Sequence, residues 1–344
     1  MIRIDSISEL REVILSSLEQ YGKIGLLTHE NPDGDGLSTC LALKEIIEAR
    51  GKQADIVLEE PAIESLDFLG GKERTILINE TLSYPLILLV DSQSRNRLGR
   101  CASLLDGAEK VIAVDHHLEN GEIRSENKRR GIRDVDILYN APYTVSAGAI
   151  IYKTFQKEID QLPDDKRLYC AAALFVSIIN DTNNFTNKNT DAEVLKLSAE
   201  LAGMGIRPYE VTNRFLYSRP VAYYRFIGQV LSTIKTVADG RVLFFHSTEK
   251  MLTENNLNID ATSKITNWVK QPLGVEVVVY FRELKRESYR LSLRSEKLDV
   301  NKLAVKYGGG GHRVAAGCEI EGNLEDIEAI ILKDIQNLFS DKND

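Results

Sequence analysis

The chain has 344 residues, 43% hydrophobic and 27% charged, a length and balance that suit a soluble two-domain protein and exclude a fibrous, disordered or membrane-spanning one. A net charge of −8 argues against broad, charge-driven binding to long nucleic acid, but admits a small phosphate-bearing substrate where bound cations supply local positive charge. Cys40, Cys101, Cys170 and Cys318 lack the paired spacing of a zinc site or disulfide framework, and no signal peptide or membrane span is readable, so a cytoplasmic location is expected.

In chain order, Ser6-Ile7-Ser8-Glu9 has capping-box spacing, and Leu10, Val13, Ile14, Leu18 and Tyr21 follow at helical intervals. Residues 24–27 read as a buried strand that delivers Thr28 and His29, and the Pro and Gly content of 30–36 reads as a loop. A helix over about 38–50 and a strand over 55–58 come next, and 60–82 gives no clear signal. Apolar runs at 86–90 and 111–114 read as strands of a parallel sheet, ending in Asp91 and in Asp115-His116-His117. Residues 119–134, with Lys128-Arg129-Arg130, read as a solvated loop. Helices are predicted over 144–155, 164–180 and 191–204, then a helical connector to about 234, then strands at 241–246, 275–281 and 289–293. The pattern predicts an α/β fold: an N-terminal doubly wound, mainly parallel sheet with helices on both faces, plus a smaller C-terminal α+β domain. The expected divisions are 1–205, a linker at 206–220, and 221–344.

Chemistry in open α/β sheets collects past the carboxyl ends of the strands. Three such ends carry His29 with Asp33 and Asp35, Asp91, and His116, and a helix end carries Asp181. Hard carboxylates with a minority of imidazole suit Mn²⁺ or Mg²⁺ better than zinc. Two ions roughly 3.5–4 Å apart can brace an in-line displacement at phosphorus, with Asp91 a candidate bridge. Singly, Asp33 and Asp35 could be turn or N-cap residues, and His116-His117 a satisfied pair. An EF-hand reading of Asn31-Pro32-Asp33-Gly34-Asp35-Gly36 fails because its twelfth position is Ala42.

Gly308-Gly309-Gly310-Gly311-His312 is costly to order, which suggests close backbone approach to a ligand, with a tight corner as the plainer explanation. Ala315-Ala316-Gly317 is expected to begin a helix whose N-terminal end favours phosphate. Arg294-Ser295 at a strand end fits a second phosphate anchor. No nucleotide-triphosphate loop, Gly-x-Ser-x-Gly elbow or Cys-His arrangement is present.

These residues resemble the DHH phosphoesterases. Asp115-His116-His117 with Asn120 resembles the signature itself, His29-x-x-Pro32-Asp33-x-Asp35 the first motif, and Asp91 with Arg97 and Gly99 the second. Asp181-Thr182 with Phe185 and Thr190 is similar to the fourth, and Arg294-Ser295 plus the glycine run to the associated C-terminal domain of the nanoRNase and pAp-phosphatase branch. The chain departs at Ser38-Thr39, where the family usually has Gly-Ser, and at Asn183, where it has Gly. The resemblance implies a Mn²⁺ pair, with Mg²⁺ or Co²⁺ as substitutes. His29, Asp33 and Asp91 would hold one ion, and Asp35, Asp91, His116 and Asp181 the other. His117 would touch the scissile phosphate or act as general acid, and Asp115 would orient the imidazoles. Arg294, Ser295, Gly308, Gly309, Gly310, Gly311 and His312 would grip the nucleotide or terminal phosphate.

The implied activity is hydrolysis of very short oligoribonucleotides, linear dinucleotides such as pApA, and pAp. Short RNA or a mono- or dinucleotide is the expected partner, with no membrane and no long duplex nucleic acid, and family likeness suggests a homodimer. Pyrophosphatase or exopolyphosphatase chemistry on the same scaffold is the alternative, and a catalytically silent nucleotide-binding regulator is the alternative from another class.

Overall fold

The computed structural model describes residues 1–118, 132–262, 265–270 and 272–340; Asn120 and the run Lys128-Arg129-Arg130 lie outside them. The described residues form two compact units, Met1–Ser218 and Arg219–Asp344.

The first unit begins with β1 (Ile2–Ile4) and α1 (Ile7–Gln20), whose cap is Ser6 accepting the Glu9 N–H at 3.1 Å and whose buried face is Leu10, Ile14 and Leu18. β2 (Lys23–Leu27) leads to α2 (Gly34–Glu48), then β3 (Gln53–Leu58), β4 (Thr75–Leu77), β5 (Leu86–Val90), β6 (Lys110–Asp115) and β7 (Ile137–Asn140). α3 (Ala147–Asp160), α4 (Asp164–Asp181), α5 (Ala192–Gly203) and the short α6 (Pro208–Thr212) follow. The seven strands run in the order β1-β7-β6-β5-β2-β3-β4, every neighbour parallel. Because successive residues of a strand face opposite sides, Leu88, Val90, Ile112 and Val114 enter a core shared with the helices. Ile87, Leu89, Val111 and Ala113 enter another, covered by Leu98, Leu104 and Leu105. The order reverses between β2 and β5, the switch point at which such sheets bind ligands.

Two differences from the sequence reading concern this unit. α2 starts at Gly34 rather than near Ser38, because Asp33 caps it, accepting the N–H groups of Asp35 at 2.9 Å and Gly36 at 3.4 Å. Ile206, Val211 and Phe215, read as connector, are buried in the first core.

The second unit holds α7 (Val221–Ser232), β8 (Lys235–Val237), β9 (Val242–Ser247), α8 (Glu249–Glu254), β10 (Val277–Lys285), β11 (Ser288–Arg294), α9 (Val300–Lys306), β12 (Gly310–His312), β13 (Ala315–Glu321) and α10 (Leu324–Ser340). Its six strands lie in the order β12-β13-β11-β10-β9-β8, parallel at β9–β10 and otherwise antiparallel. The helix expected at Ala315-Ala316-Gly317 is instead β13. Ala316 lies opposite Leu293 of β11 and opposite Gly311 of β12. The small residues allow close strand approach: a Cβ at Gly309 would lie 2.1 Å from the Gly317 carbonyl oxygen, and one at Gly311 2.5 Å from that of Ala315.

Candidate metal centre

His29, Asp33, Asp35, Asp91, His116 and Asp181 all come together at the carboxyl edge of β2, β5 and β6, with α4 contributing Asp181 from its end. Three groups of side chains are spaced to hold a cation: His29 with Asp33 and Asp91; Asp35 with His116 and Asp181; and Asp91 with His116 and His117. Asp91 sits on a non-glycine left-handed residue (φ +57°), where its backbone N–H reaches the Val114 carbonyl at 3.0 Å and its buried carboxylate meets imidazoles from two strand ends. Its Oδ2 is 3.3 Å from His29 Nε2, and its Oδ1 is 3.5 Å from His116 Nε2 and 3.1 Å from His117 Nδ1.

Backbone carbonyls aim the two inner imidazoles. A carbonyl only accepts, so Nδ1 of His29 donates to Glu30 O at 2.7 Å, and Nδ1 of His116 to Thr144 O at 3.2 Å. In both rings Nε2 then points into the cluster. His116 Nε2 is 3.1 Å from Asp181 Oδ2, 3.5 Å from Asp35 Oδ2 and 3.5 Å from Asp91 Oδ1, yet it and Asp91 Oδ1 are buried without a hydrogen-bond partner. A nitrogen facing three carboxylates calls for positive charge there, a proton in the metal-free protein or a bound cation in its place. The donor set, hard oxygens with a minority of imidazole, fits a divalent ion such as Mn²⁺ or Mg²⁺.

Asp35 is completely buried at the N-terminus of α3. It accepts from the Ala147 N–H at 2.8 Å, the Gly148 N–H at 3.1 Å and the Ser177 hydroxyl at 2.5 Å. Ser146 caps α3, accepting the Ala149 N–H at 3.2 Å, and its hydroxyl donates to Ser177 Oγ at 2.7 Å. Asp115, also fully buried, accepts on Oδ1 from the backbone N–H groups of His116 at 2.7 Å and His117 at 3.2 Å and from His117 Nδ1 at 2.9 Å. Asp115 thus touches the ring of His117, whereas Thr144 orients that of His116. Asn140, beside Asp115 on β7, donates to the His117 carbonyl at 3.1 Å.

The electrostatics agree with a cation deficit. Burial disfavours the charged imidazole of His116, but Asp181 and Asp91 overcome it and push the group up to about 11. His29 is pushed to about 10, where Asp33 and Asp91 outweigh burial, and His117 to about 9 by Asp115 and then Asp91. Burial works to raise Asp91, yet the three imidazoles hold it well below the usual carboxylate range. Burial and neighbouring carboxylates raise Asp35 and Asp181. Protons occupy the places that ligated cations would take.

In the second unit, Arg294 ends β11; burial pushes its guanidinium down, and among the described residues it has no carboxylate in ion-pair reach, only the Leu293 carbonyl at 2.9 Å. The Ser295 hydroxyl is spent locally, donating to Glu276 O at 2.7 Å and accepting the N–H groups of Lys297 and Leu298 at 3.2 Å and 3.0 Å. His312 is exposed on the edge strand β12; Gly308 and Gly310 have open space where a Cβ would be, and Gly309 and Gly311 face β13.

Thr144, Ser146, Ser177, Asn140 and Asn180 are supporting groups that the sequence reading did not single out. The Ser146 cap and the Asn180-Asp181 pairing were available signals. The Thr144 carbonyl was not, because a backbone acceptor leaves no mark in residue type.

The DHH family, N-terminal domain, matches residues 23–178, and the DHHA1 domain matches residues 240–341. The bifunctional oligoribonuclease and PAP phosphatase NrnA of Thermus thermophilus is 31% identical over 311 residues, covering 90% of this chain and 87% of that protein. The protein of the same name from Bacillus subtilis is 23% identical over 313 residues, covering 90% and 93%. An exopolyphosphatase-related protein from Bacteroides fragilis shares the fold, with a TM-score of 0.83 over 95% of each chain at 19% identity.

Proposed function

The chain belongs to the DHH family of phosphoesterases, and we propose that it is a Mn²⁺-dependent member that hydrolyses very short oligoribonucleotides, linear dinucleotides such as pApA, and pAp to nucleoside monophosphates. The observation that carries this reading is the buried nitrogen of His116 converging with the carboxylates of Asp35, Asp91 and Asp181 at 3.1–3.5 Å, at the point where the strand order reverses. The relatives named for oligoribonuclease and PAP phosphatase activity support the substrate class.

His29, Asp33 and Asp91 would hold one cation, and Asp35, Asp91, His116 and Asp181 a second, with Asp91 offering one oxygen to each side. Divalent cations bound there supply activation of water and neutralise charge developing on the phosphoryl oxygens. The chain's own groups do the rest. Asp115 holds Nδ1 of His117 and favours its protonated form, so His117 can contact the scissile phosphate or pass a proton to the leaving oxygen. Arg294, a partly buried cation with no carboxylate in ion-pair reach among the described residues, offers a guanidinium to phosphate, and His312 with the open glycines offers further donors. A second unit that grips a substrate end would favour short substrates.

The test is a side-by-side assay with Mn²⁺ of pApA, pAp, a longer RNA, pyrophosphate and polyphosphate. Turnover should be fast on pApA and pAp and slow on the longer RNA. Preference for pyrophosphate or polyphosphate would replace this reading with the phosphatase alternative, and silence on all five would favour a binding regulator.

A further inference from the structure

Asn180 is the penultimate residue of α4, and its carboxamide lies among the acidic groups rather than beside them. Its Nδ2 donates to Asp33 Oδ2 at 2.8 Å and to Asp181 Oδ1 at 2.9 Å. Its Oδ1 accepts the backbone N–H of Gly34 at 3.2 Å, at the start of α2. These contacts settle the orientation of the amide: turned over, its oxygen would face two carboxylates and its NH₂ group would face an N–H. They also fix one oxygen of each carboxylate. Asp33 Oδ1, which accepts the Asp35 and Gly36 N–H groups as the cap of α2, lies 3.9 Å from His29 Nε2, and Asp181 Oδ2 lies 3.1 Å from His116 Nε2. Asp33 belongs to the group with His29, and Asp181 to the group with His116. One side chain therefore ties the two cation-holding groups together, across a sequence separation of 147 residues.

We propose that Asn180 is a positioning residue that sets the spacing and joint occupancy of the two cation positions, by holding Asp33 and Asp181 at a fixed separation with one carboxamide. The proposal rests on the two-cation reading above. Two like-charged carboxylates from different segments drift apart unless a donor or a cation lies between them. The amide supplies that donor before any ion binds, so the second ion meets a site already assembled. Removing such an outer partner of a ligand typically weakens metal affinity ~10–100-fold. Room is limited on the other side as well. A Cβ at Gly34 would lie 2.3 Å from Phe215 Cζ and 2.8 Å from Asn180 Oδ1, so the helix start and the amide are fitted to one another.

The test compares wild type with Asn180→Ala, and with Asn180→Leu as the variant that keeps the branched shape at Cγ without a donor or acceptor. Metal-free protein is titrated calorimetrically with Mn²⁺, and the loaded samples are examined by electron paramagnetic resonance. Circular dichroism of the metal-free variants reports folding, and Asn180→Leu is decisive if Asn180→Ala does not fold. Wild type should take two equivalents and give the broadened signal of a coupled pair. The variants should keep one tight equivalent, lose ~10–100-fold in affinity for the other, and give the six-line signal of an isolated ion at one equivalent. Excess Mn²⁺ should restore kcat with KM unchanged. A folded variant with two equivalents at wild-type affinity and a coupled signal overturns the proposal alone. A wild type that takes a single ion overturns the two-cation reading and this proposal with it.

Discussion

Gly36 stands in the first turn of α2 against the strand end that carries Thr28 and His29. A Cβ there would lie 2.1 Å from Thr28 Oγ1, 3.2 Å from Thr28 Cβ and 3.5 Å from Asp91 Cβ. Thr28 is buried and its hydroxyl has no hydrogen-bond partner. Gly36→Ala should gain ~1 kcal/mol of helix propensity and lose ~2–3 kcal/mol by overpacking, a net destabilisation of ~1–2 kcal/mol. Thr28→Ala removes the colliding oxygen. It costs about one methyl of burial, ~1 kcal/mol, partly offset because the deleted hydroxyl was unsatisfied. In the double variant only the 3.2 Å approach to Cβ remains, so the two changes should couple favourably by about 1–2 kcal/mol. Denaturant unfolding of the four proteins in chelator measures the cycle without metal linkage, and Mn²⁺ titration should show the single Gly36→Ala variant weakened and the double variant recovered. Additive effects, or a Gly36→Ala protein as stable as wild type, would refute the argument that this glycine is required by the close approach of α2 to the site.

Asp91→Ala or His116→Ala should lower kcat by at least ~10²–10³-fold while circular dichroism stays native; full activity would refute the assigned ligands. Arg294→Ala and His312→Ala should weaken hydrolysis of pApA more than that of a small generic phosphodiester in parallel kcat/KM measurements, and equal losses would remove the phosphate grip. The three imidazoles, raised to about 9, 10 and 11 in the metal-free protein, predict opposite pH trends for fold and metal. Groups whose folded values lie above the ordinary one stabilise the metal-free fold fully below about pH 6.5 and lose that contribution as pH rises through about 9 to 11. Cation binding must displace the same protons, so Mn²⁺ affinity measured calorimetrically should rise from about pH 6 to about pH 9, and a pH-independent affinity would contradict it.

The strand ends were legible because a buried apolar run that stops at a carboxylate or imidazole has few explanations, and three such runs share one. That was enough to gather His29, Asp91 and His116 from positions far apart in the chain. The helix start at Gly34 was not legible, since Gly34-Asp35-Gly36 carries turn composition and only the Asp33 cap turns it helical. The glycine run before His312 misled in a different way: its Ala315-Ala316-Gly317 neighbour reads as a small-residue helix start, but the two segments pair as strands, and half of the glycines serve that pairing. Groups that hold the ligands in place were hardest to see. Thr144 acts through its backbone, while Ser177 and Asn180 reach Asp35 and Asp33 over separations of 142 and 147 residues that no local pattern encodes. Asn183, where the family usually has Gly, does take a left-handed conformation (φ +47°), as Asn tolerates.

The most direct test of the cation cluster is anomalous diffraction at the manganese edge from crystals grown with Mn²⁺. Two peaks roughly 3.5–4 Å apart, one against His29, Asp33 and Asp91 and the other against Asp35, Asp91, His116 and Asp181, are the predicted result. No peak there, or manganese bound elsewhere in the chain, would contradict it.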